Sequence, residues 1–354
     1  MKTLACLTAL LTLGCQTFSE PPLADRGEPL GGSCSYGVAR WGAGDEAGQS
    51  NTQTPVKMAE AAFRFITPAS KTFVLAHPLE PNIPTLPFPG LVGYQFQVPN
   101  DGFHVLGLFD LVGHEELVTA EIGQVGTQID ALGHMCFLDN PFGDPLGAAR
   151  CYGGFTEAQI YDPAQPQKGL QKLGAEKLKP YFTVGHLIDL TLVNGGQRLA
   201  PGTPVTMAMV LAAMDAEGLD PSDVREGDVV LFRTGHEELW AGGETGGYYG
   251  AAPGITLEVA QFFAERCVGN LGGDTGMLEV SPPVDPTGAV PVHEFNLLHA
   301  GIPQRESLKL AALAAHIASR PPGLRSYSFA YIDVPVPYRG ASGSSGAPLA
   351  ITRF

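Results

Sequence analysis

The chain has 354 residues, of which 44% are hydrophobic and 16% charged, a composition typical of a folded globular protein rather than a disordered one. Thirty-six acidic residues against 21 basic ones give a formal net charge of −15, and no run of Lys or Arg offsets it. Because such a chain repels a phosphate backbone, we expect no nucleic-acid partner.

The first 15 residues have the layout of an export signal. One Lys precedes an apolar stretch at residues 4–13, which is too short to span a bilayer, and Gly and Cys follow it. The Gly before Cys15 resembles a bacterial lipoprotein cleavage site, although Thr12 stands where that pattern prefers Leu. We therefore expect an exported protein, periplasmic or held at the outer membrane through a lipid on Cys15. Residues 16–55 lack periodicity and are rich in Gly, Pro and polar residues, which predicts a flexible tether.

From residue 56 onwards, predicted helices and strands alternate without an internal repeat or a further linker. Helical spacing of apolar residues and short apolar or β-branched runs distinguish the two. The predicted helices cover residues 56–66, 206–218, 255–267 and 305–320. The predicted strands cover the start of 71–90, then 103–112, 117–123, 186–193, 227–235, 268–274 and 327–337. A Ser- and Gly-rich tail is predicted as a loop. This alternation indicates one α/β domain over residues 56–354.

Two cysteines bracket a Pro- and Gly-rich loop. A disulfide between Cys136 and Cys151 would close this loop at little geometric cost, and export would permit it. The alternative is that both are buried free thiols. The sequence has no CxxC motif, which argues against a zinc ribbon or a thioredoxin-like redox site.

One short segment, VGTQIDALGH at residues 125–134, combines polar and apolar side chains. In an extended chain, Gln124, Gln128, Asp130 and His134 would all point to the same face because their spacings are even. Carboxylate and imidazole groups are ligands for a divalent transition metal, whereas an amide is only a weak neutral donor. From these residues, both a metal site and a hairpin with polar side chains stay open.

The same segment, extended to GQVGTQIDALGH, resembles the signature of the cyclase family of metal-dependent hydrolases, His-x-Gly-Thr-His-x-Asp-x-x-x-His. That family includes bacterial kynurenine formamidase and isatin hydrolase. Five further stretches between about residues 70 and 350 agree with it in order: FVLAHPLEPNIP, GDVVLFRTG, GGDTGMLEV, VHEFNLLHAGIPQRESLKL and VPVPYRGASGSSGAPLA. The resemblance implies a swivelling β/β/α fold in a single domain, and a homodimer.

The resemblance also implies roles for particular residues. Asp130, His293 and Glu306 match metal ligands, and His134 matches a proton shuttle. The first two histidines of the signature are Gln124 and Gln128 here, at positions that ligate metal in the family. Because amides bind metal weakly, we predict one divalent ion, zinc or manganese. Without the resemblance, His293 could be a helix-start residue, and Glu306 could favour the N-terminus of a following helix.

The predicted function is hydrolysis of an amide, formamide or cyclic amide in a small-molecule substrate, by metal-activated water with His134 moving the proton. The alternative is a small-molecule binding protein that has lost the metal centre. A serine hydrolase lacks a suitable arrangement, since the serines of the Gly-rich tail have no strand-to-helix turn and no His and Asp partners at a suggestive spacing. We further expect a structural role for Asp274 and a pocket wall from Tyr248 and Tyr249. A substrate contact from His236 is the less favoured alternative, because the resembling family usually has an aromatic residue at this position.

Overall fold

The structure is a computed structural model that describes residues 34–86, 92–98, 114–245, 247–284 and 288–353. The predicted signal at 1–15, the first half of the predicted tether and the predicted strand at 103–112 lie outside these ranges. Within them, no helix is long and apolar enough to cross a membrane.

The strands and helices follow one another in mixed order along the chain. The strands are β1 (Lys71–Val74), β2 (Tyr94–Gln97), β3 (Leu117–Ala120), β4 (Gln128–Asp130), β5 (Tyr181–Asp189), β6 (Pro204–Val205), β7 (Val229–Arg233), β8 (Gly254–Ile255), β9 (Asn270–Gly273), β10 (Gln304–Glu306), β11 (Ser328–Asp333), β12 (Gly343–Ser345) and β13 (Leu349–Thr352). The helices are α1 (Val38–Trp41), α2 (Pro55–Phe65), α3 (Glu157–Ile160), α4 (Met207–Glu217), α5 (Leu257–Ala264), α6 (Pro291–His293) and α7 (Ala311–Ala318). A π-helix, Glu294–Ala300, follows α6 directly.

A nine-stranded mixed sheet with the order β1-β13-β11-β5-β7-β9-β10-β4-β12 organises the domain. Its central strands β5, β7, β9 and β10 are parallel, whereas β4 pairs antiparallel with both β10 and β12. Strands β2 and β3 form a separate antiparallel pair, and β6 and β8 a short parallel one. The sheet therefore brings β4, from the first half of the chain, between two strands from the last sixth.

The parallel centre of the sheet is buried on both faces. In β7, Val230 and Phe232 join the core formed with α4 and α5, while Val229 and Leu231 join the core formed with α7. This alternation follows from the two-residue period of a strand, and burial of each such side chain contributes about 1.5–3 kcal/mol. An unbroken apolar run was the sequence signal for this strand.

Helices with clear end signals agree with prediction. The helix predicted at 56–66 is α2, where Thr54 accepts a hydrogen bond from the Lys57 backbone amide and Pro55 occupies the first turn. The helix predicted at 206–218 is α4, which is capped by Thr206 and ends at Gly218 in the left-handed conformation.

The C-terminal part of the chain corrects two predictions. The helix predicted at 305–320 begins only at Ala311, because residues 304–306 pair as β10 with β9 and β4. Ser307 has a positive φ of 53°, which separates this strand from the helix. The tail predicted as a loop contains β12 and β13, since β4 and β11 offer it free hydrogen-bonding edges.

The tether prediction is wrong for residues 34–55, which lie against the domain. They form α1 and a 3-10 helix, Gly48–Thr52, in which Gln49 and Ser50 are fully buried. A disulfide joins Cys34 to Cys267, and we call residues 34–53 the N-terminal strap. The second disulfide, between Cys136 and Cys151, closes the loop for which the sequence left two alternatives.

Candidate metal centre

Three buried side chains from separate elements converge beside the sheet. Asp130 ends β4, Glu306 ends β10, and His293 ends α6. Their potential ligand atoms all lie within 4.8 Å of one another. His293 Nε2 is 3.6 Å from Asp130 Oδ2 and 3.3 Å from Glu306 Oε1. Antiparallel pairing of β4 with β10 sets this arrangement, because Gln304 lies opposite Asp130 and Glu306 is two residues further on the same face.

The donor set fits a divalent cation. Asp130 is fully buried, and its Oδ2 atom has no hydrogen-bond partner among the residues that the structure describes. A buried carboxylate oxygen without a donor is costly, and a cation would remove that cost. Two carboxylates and one imidazole are ligand types shared by zinc and manganese.

The charges of the three groups are strongly interdependent. Burial, followed by the charge of Asp130, raises the pKa of Glu306 to about 7. Burial acts to lower the pKa of His293, but its close contacts with the carboxylates of Asp130, Glu279 and Glu306 outweigh burial and hold this pKa well above its usual value. Burial acts to raise the pKa of Asp130, but the two nearby imidazoles outweigh it, so the pKa lies below its usual value. Protons therefore occupy this centre when no cation does.

The two glutamines lie beside the centre with their amide nitrogens directed at the carboxylates. Gln124 Nε2 donates to Asp130 Oδ1 at 3.1 Å, and Gln128 Nε2 donates to Glu306 Oε2 at 3.3 Å. Gln128 Nε2 also donates to Gln124 Oε1 at 3.1 Å. Gln128 Oε1 is buried without a hydrogen-bond partner in the described part of the chain. The two amides therefore hydrogen-bond to Asp130 Oδ1 and Glu306 Oε2, the carboxylate oxygens that do not face His293 Nε2.

His134 lies in the turn after β4, at the open side of the centre. Its Nε2 is 4.0 Å from Asp130 Oδ2, and its side chain is 18% exposed. Gln124 Nε2 lies 3.2 Å from its Nδ1 and donates to it. Burial lowers the pKa of His134, although the charge of Asp130 opposes this. The imidazole is therefore neutral near pH 7 and can accept a proton.

The predicted polar face comes together for a different reason from the one given by the sequence. Only Gln128–Asp130 is extended, and Gln124 and His134 lie in turns on either side of β4. Hydrogen bonds through the side chain of Gln124 bring the two turns together. The four side chains therefore meet through two turns and not along one extended face, as their spacing had predicted.

Sequence reasoning missed Glu279, which orients the histidine of the centre. The Glu279 carboxylate accepts a hydrogen bond from His293 Nδ1, and its second oxygen accepts one from the Val292 amide at 3.1 Å. Glu279 is only 1% exposed. An acidic residue in an apolar run, just after the predicted strand 268–274, was the signal that could have found it.

Aromatic residues form one wall beside the carboxylates. Tyr249 is partly exposed, and burial, with added effects from the charges of Glu306 and Asp130, raises its pKa to about 12. Tyr248 is buried and stacks edge-on against both Tyr249 and Trp240. Tyr249 therefore lies near the carboxylates with part of its side chain exposed, whereas Tyr248 is enclosed, and the pocket wall stays a prediction.

Asp274 and His236, two other residues considered from the sequence, both contact Tyr248. Asp274 is buried and accepts hydrogen bonds from the Thr234 amide and hydroxyl and from the Gly235 amide, so its structural role is confirmed. His236 is 2% exposed, and its Nε2 bonds the backbone oxygen of Tyr248 at 2.8 Å. Because its imidazole is enclosed behind Tyr248, the structure favours a structural role for His236 over the less favoured alternative of a substrate contact.

Residues 73–280 match the model of the family described as "Putative cyclase". The chain belongs to this cyclase family. The matched range contains Asp130 and His134, whereas His293 and Glu306 lie beyond it. Among curated proteins, none matches the chain in sequence.

Solved structures share the cyclase fold. A crystal structure of a novel cyclase is 24% identical, with a TM-score of 0.73, covering 89% of this chain and 99% of that one. Isatin hydrolase A from Ralstonia solanacearum is 18% identical, with a TM-score of 0.54, covering 84% and 97%. Isatin hydrolase A from Labrenzia aggregata, bound to benzyl benzoate, is 15% identical, with a TM-score of 0.55, covering 81% and 95%. These matches confirm the predicted single-domain β/β/α fold.

Proposed function

We propose that this cyclase is a metal-dependent hydrolase that cleaves an amide, formamide or cyclic amide bond in a small molecule. The convergence of Asp130, His293 and Glu306 around an unpartnered carboxylate oxygen carries the proposal. His134 adds a neutral imidazole at the open side of the same centre. Isatin hydrolases have the same fold, which supports hydrolysis as the type of reaction.

The ligands would be Asp130 Oδ2, Glu306 Oε1 and His293 Nε2. A divalent cation held there would polarise a substrate carbonyl and lower the pKa of a water molecule. Asp130 Oδ1 and Glu306 Oε2 already accept hydrogen bonds from Gln124 and Gln128. Asp130 Oδ2 is thereby left for metal. Glu306 Oε1 accepts one hydrogen bond, from the Leu278 backbone amide at 3.0 Å, and keeps its second lone pair for metal. We therefore expect a single ion, zinc or manganese, rather than two.

His134 would move the proton during cleavage. To take a proton from water at Nε2, the imidazole must carry its own proton on Nδ1. The Gln124 amide nitrogen donates both to Nδ1 and to Asp130 Oδ1, so this tautomer requires the His134 ring to move away from Gln124 while the Gln124–Asp130 hydrogen bond stays in place. Protonated His134 would then deliver the proton to the leaving nitrogen. Gln124 is in this way the residue that sets the tautomer of the catalytic base.

A binding protein without metal is the second candidate, and the glutamines favour it. Their amides already satisfy one oxygen of each carboxylate, and the raised pKa of Glu306 allows the centre to hold a proton instead of a cation. Such a protein would keep the aromatic wall and bind a small molecule without cleaving it.

Elemental analysis of the mature protein, produced without a His tag, tests the metal centre. We expect about one equivalent of zinc or manganese, its loss in Asp130→Asn, and its retention in Asp139→Asn, a control at an exposed position. A panel of formamides, lactams and linear amides then tests the reaction, with His134→Ala expected to lower kcat by about 10²–10⁴ while metal is retained. Two equivalents would contradict the single-ion centre.

If the purified protein contains no metal and takes up none on dialysis against zinc or manganese, the hydrolase proposal is overturned and the binding-protein candidate remains. Export, a lipid on Cys15 and a homodimer stay predictions. Mass spectrometry of the mature N-terminus and size-exclusion chromatography with light scattering would test them.

A further inference from the structure

The Cys34–Cys267 disulfide joins two residues that are 233 positions apart and fastens the N-terminal strap to the end of α5. Cys34 is partly exposed and Cys267 is fully buried. The bond borders an open cleft of about 500 Å³, whose lining also includes Arg40, Arg225, Glu226 and Arg266. A small reagent can therefore reach the Cys34 sulfur from solvent.

Arg40 places a cation directly on this disulfide. Its Nη1 atom is 3.2 Å from the Cys34 sulfur and 3.0 Å from the Cys267 sulfur. Its Nη2 atom pairs with the Glu226 carboxylate, which holds the guanidinium in position. A guanidinium at this distance stabilises a thiolate that forms on either sulfur.

The strap touches the segments that carry the metal centre. Tyr36 packs edge-on against Phe295, two residues after His293, with ring centroids 6.0 Å apart. The backbone amide of Gln49 donates to the backbone carbonyl of Gly301 at 2.6 Å, just after the π-helix. At Gly48, an added Cβ would lie 2.2 Å from the Gly301 oxygen and 2.8 Å from Leu132, two residues before His134.

We propose that this cleft is a thiol–disulfide exchange site, at which a dithiol opens Cys34–Cys267 and loosens the strap from the metal centre. The first thiolate attacks the exposed Cys34 sulfur, and the electron pair of the broken S–S bond leaves on Cys267, beside Arg40. The second thiol of the reagent resolves the mixed disulfide and releases Cys34. The dithiol is oxidised to a disulfide, and both cysteines are reduced and take up protons.

The Cys136–Cys151 disulfide supplies an internal comparison. Cys136 is partly exposed and Cys151 is buried, as Cys34 and Cys267 are, but among the described residues no cationic side chain hydrogen-bonds to either sulfur of this pair. A stabilised leaving thiolate speeds exchange, here by about tenfold as an order of magnitude. The two disulfides of one molecule should therefore open at different rates.

Timed reduction of the full protein with dithiothreitol, followed by alkylation and peptide mass spectrometry, tests the site. We expect Cys34–Cys267 to open at least about tenfold faster than Cys136–Cys151. Arg40→Gln should slow only the first bond, by about tenfold. Arg225→Gln, in the same cleft but with its guanidinium paired with Glu60 rather than with sulfur, should leave both rates unchanged. Equal rates for the two bonds, or an unchanged rate in Arg40→Gln, would overturn the exchange site.

Hydrogen exchange of the selectively reduced protein tests the coupling, without any need for hydrolytic activity. Amide protection should fall in residues 34–53 and 295–301 but not in α4. Unchanged protection at 295–301 would overturn the link between strap and metal centre.

Discussion

Replacing Glu279 by Gln should weaken metal binding, although Glu279 is itself no ligand. Its carboxylate accepts from His293 Nδ1 and from the Val292 amide, so His293 presents Nε2 to the other two ligands. A glutamine side chain has only one oxygen, and its NH₂ group must face one of these N–H donors. One buried donor is therefore left unpaired, at a cost of about 1–3 kcal/mol.

Losing the hydrogen bond from His293 Nδ1 should also weaken metal binding, since a misoriented or less basic His293 imidazole is a poorer metal ligand. Loss of such an orienting partner lowers metal affinity by about 10–100-fold, or about 1.4–2.7 kcal/mol. Because the bond to Glu279 also helps to raise the pKa of His293, the variant should lose its His293 proton at lower pH.

The assay is competition with a chelator of known affinity, accompanied by NMR titration of the His293 imidazole. Glu258→Gln is the matched control, because Glu258 is exposed and lines the same cavity of about 390 Å³ as Glu279. Wild-type affinity in Glu279→Gln, together with an unshifted His293 titration, would refute this reasoning.

Three further outcomes are expected. Metal affinity should weaken by at least about tenfold per pH unit below pH 7, because the pKa of Glu306 is about 7 and the cation must displace the proton of Glu306. A metal affinity that stays constant from pH 5 to 7 in chelator competition would contradict this. Gln128→His should tighten metal binding by at least about tenfold, since an imidazole is a stronger metal ligand than an amide. Equal metal affinities of the variant and the wild type in the same assay would show that residue 128 does not reach the ion. Gly37→Ala should lower the free energy of unfolding by about 1–3 kcal/mol more than Gly42→Ala. Both glycines have positive φ, but only at Gly37 would a Cβ meet backbone, 2.0 Å from a carbonyl oxygen; equal denaturation midpoints would argue against tight strap packing.

Local signals were sufficient for much of the domain. Helix α4 was predictable because its capping residues and apolar spacing act within one segment, and β7 because its apolar run was continuous. The signature around Asp130 and His134 was readable for the same reason, since its residues are close in sequence. The cyclase fold followed from several such segments in the right order.

The tertiary structure decided how distant residues meet. Residues 305 and 306 belonged to the helix predicted at 305–320, yet they form part of β10 because β4 and β9 pair with it. The Gln128–Glu306 contact spans 178 positions, and the Cys34–Cys267 bond spans 233. Side-chain patterns specify local backbone conformation, whereas a ligand set depends on strand pairing and burial between remote segments. The sequence, through its resemblance to the cyclase family, therefore named the candidate ligands. Only the folded structure placed Glu279 beside His293 and turned the amides of the two glutamines toward the carboxylates.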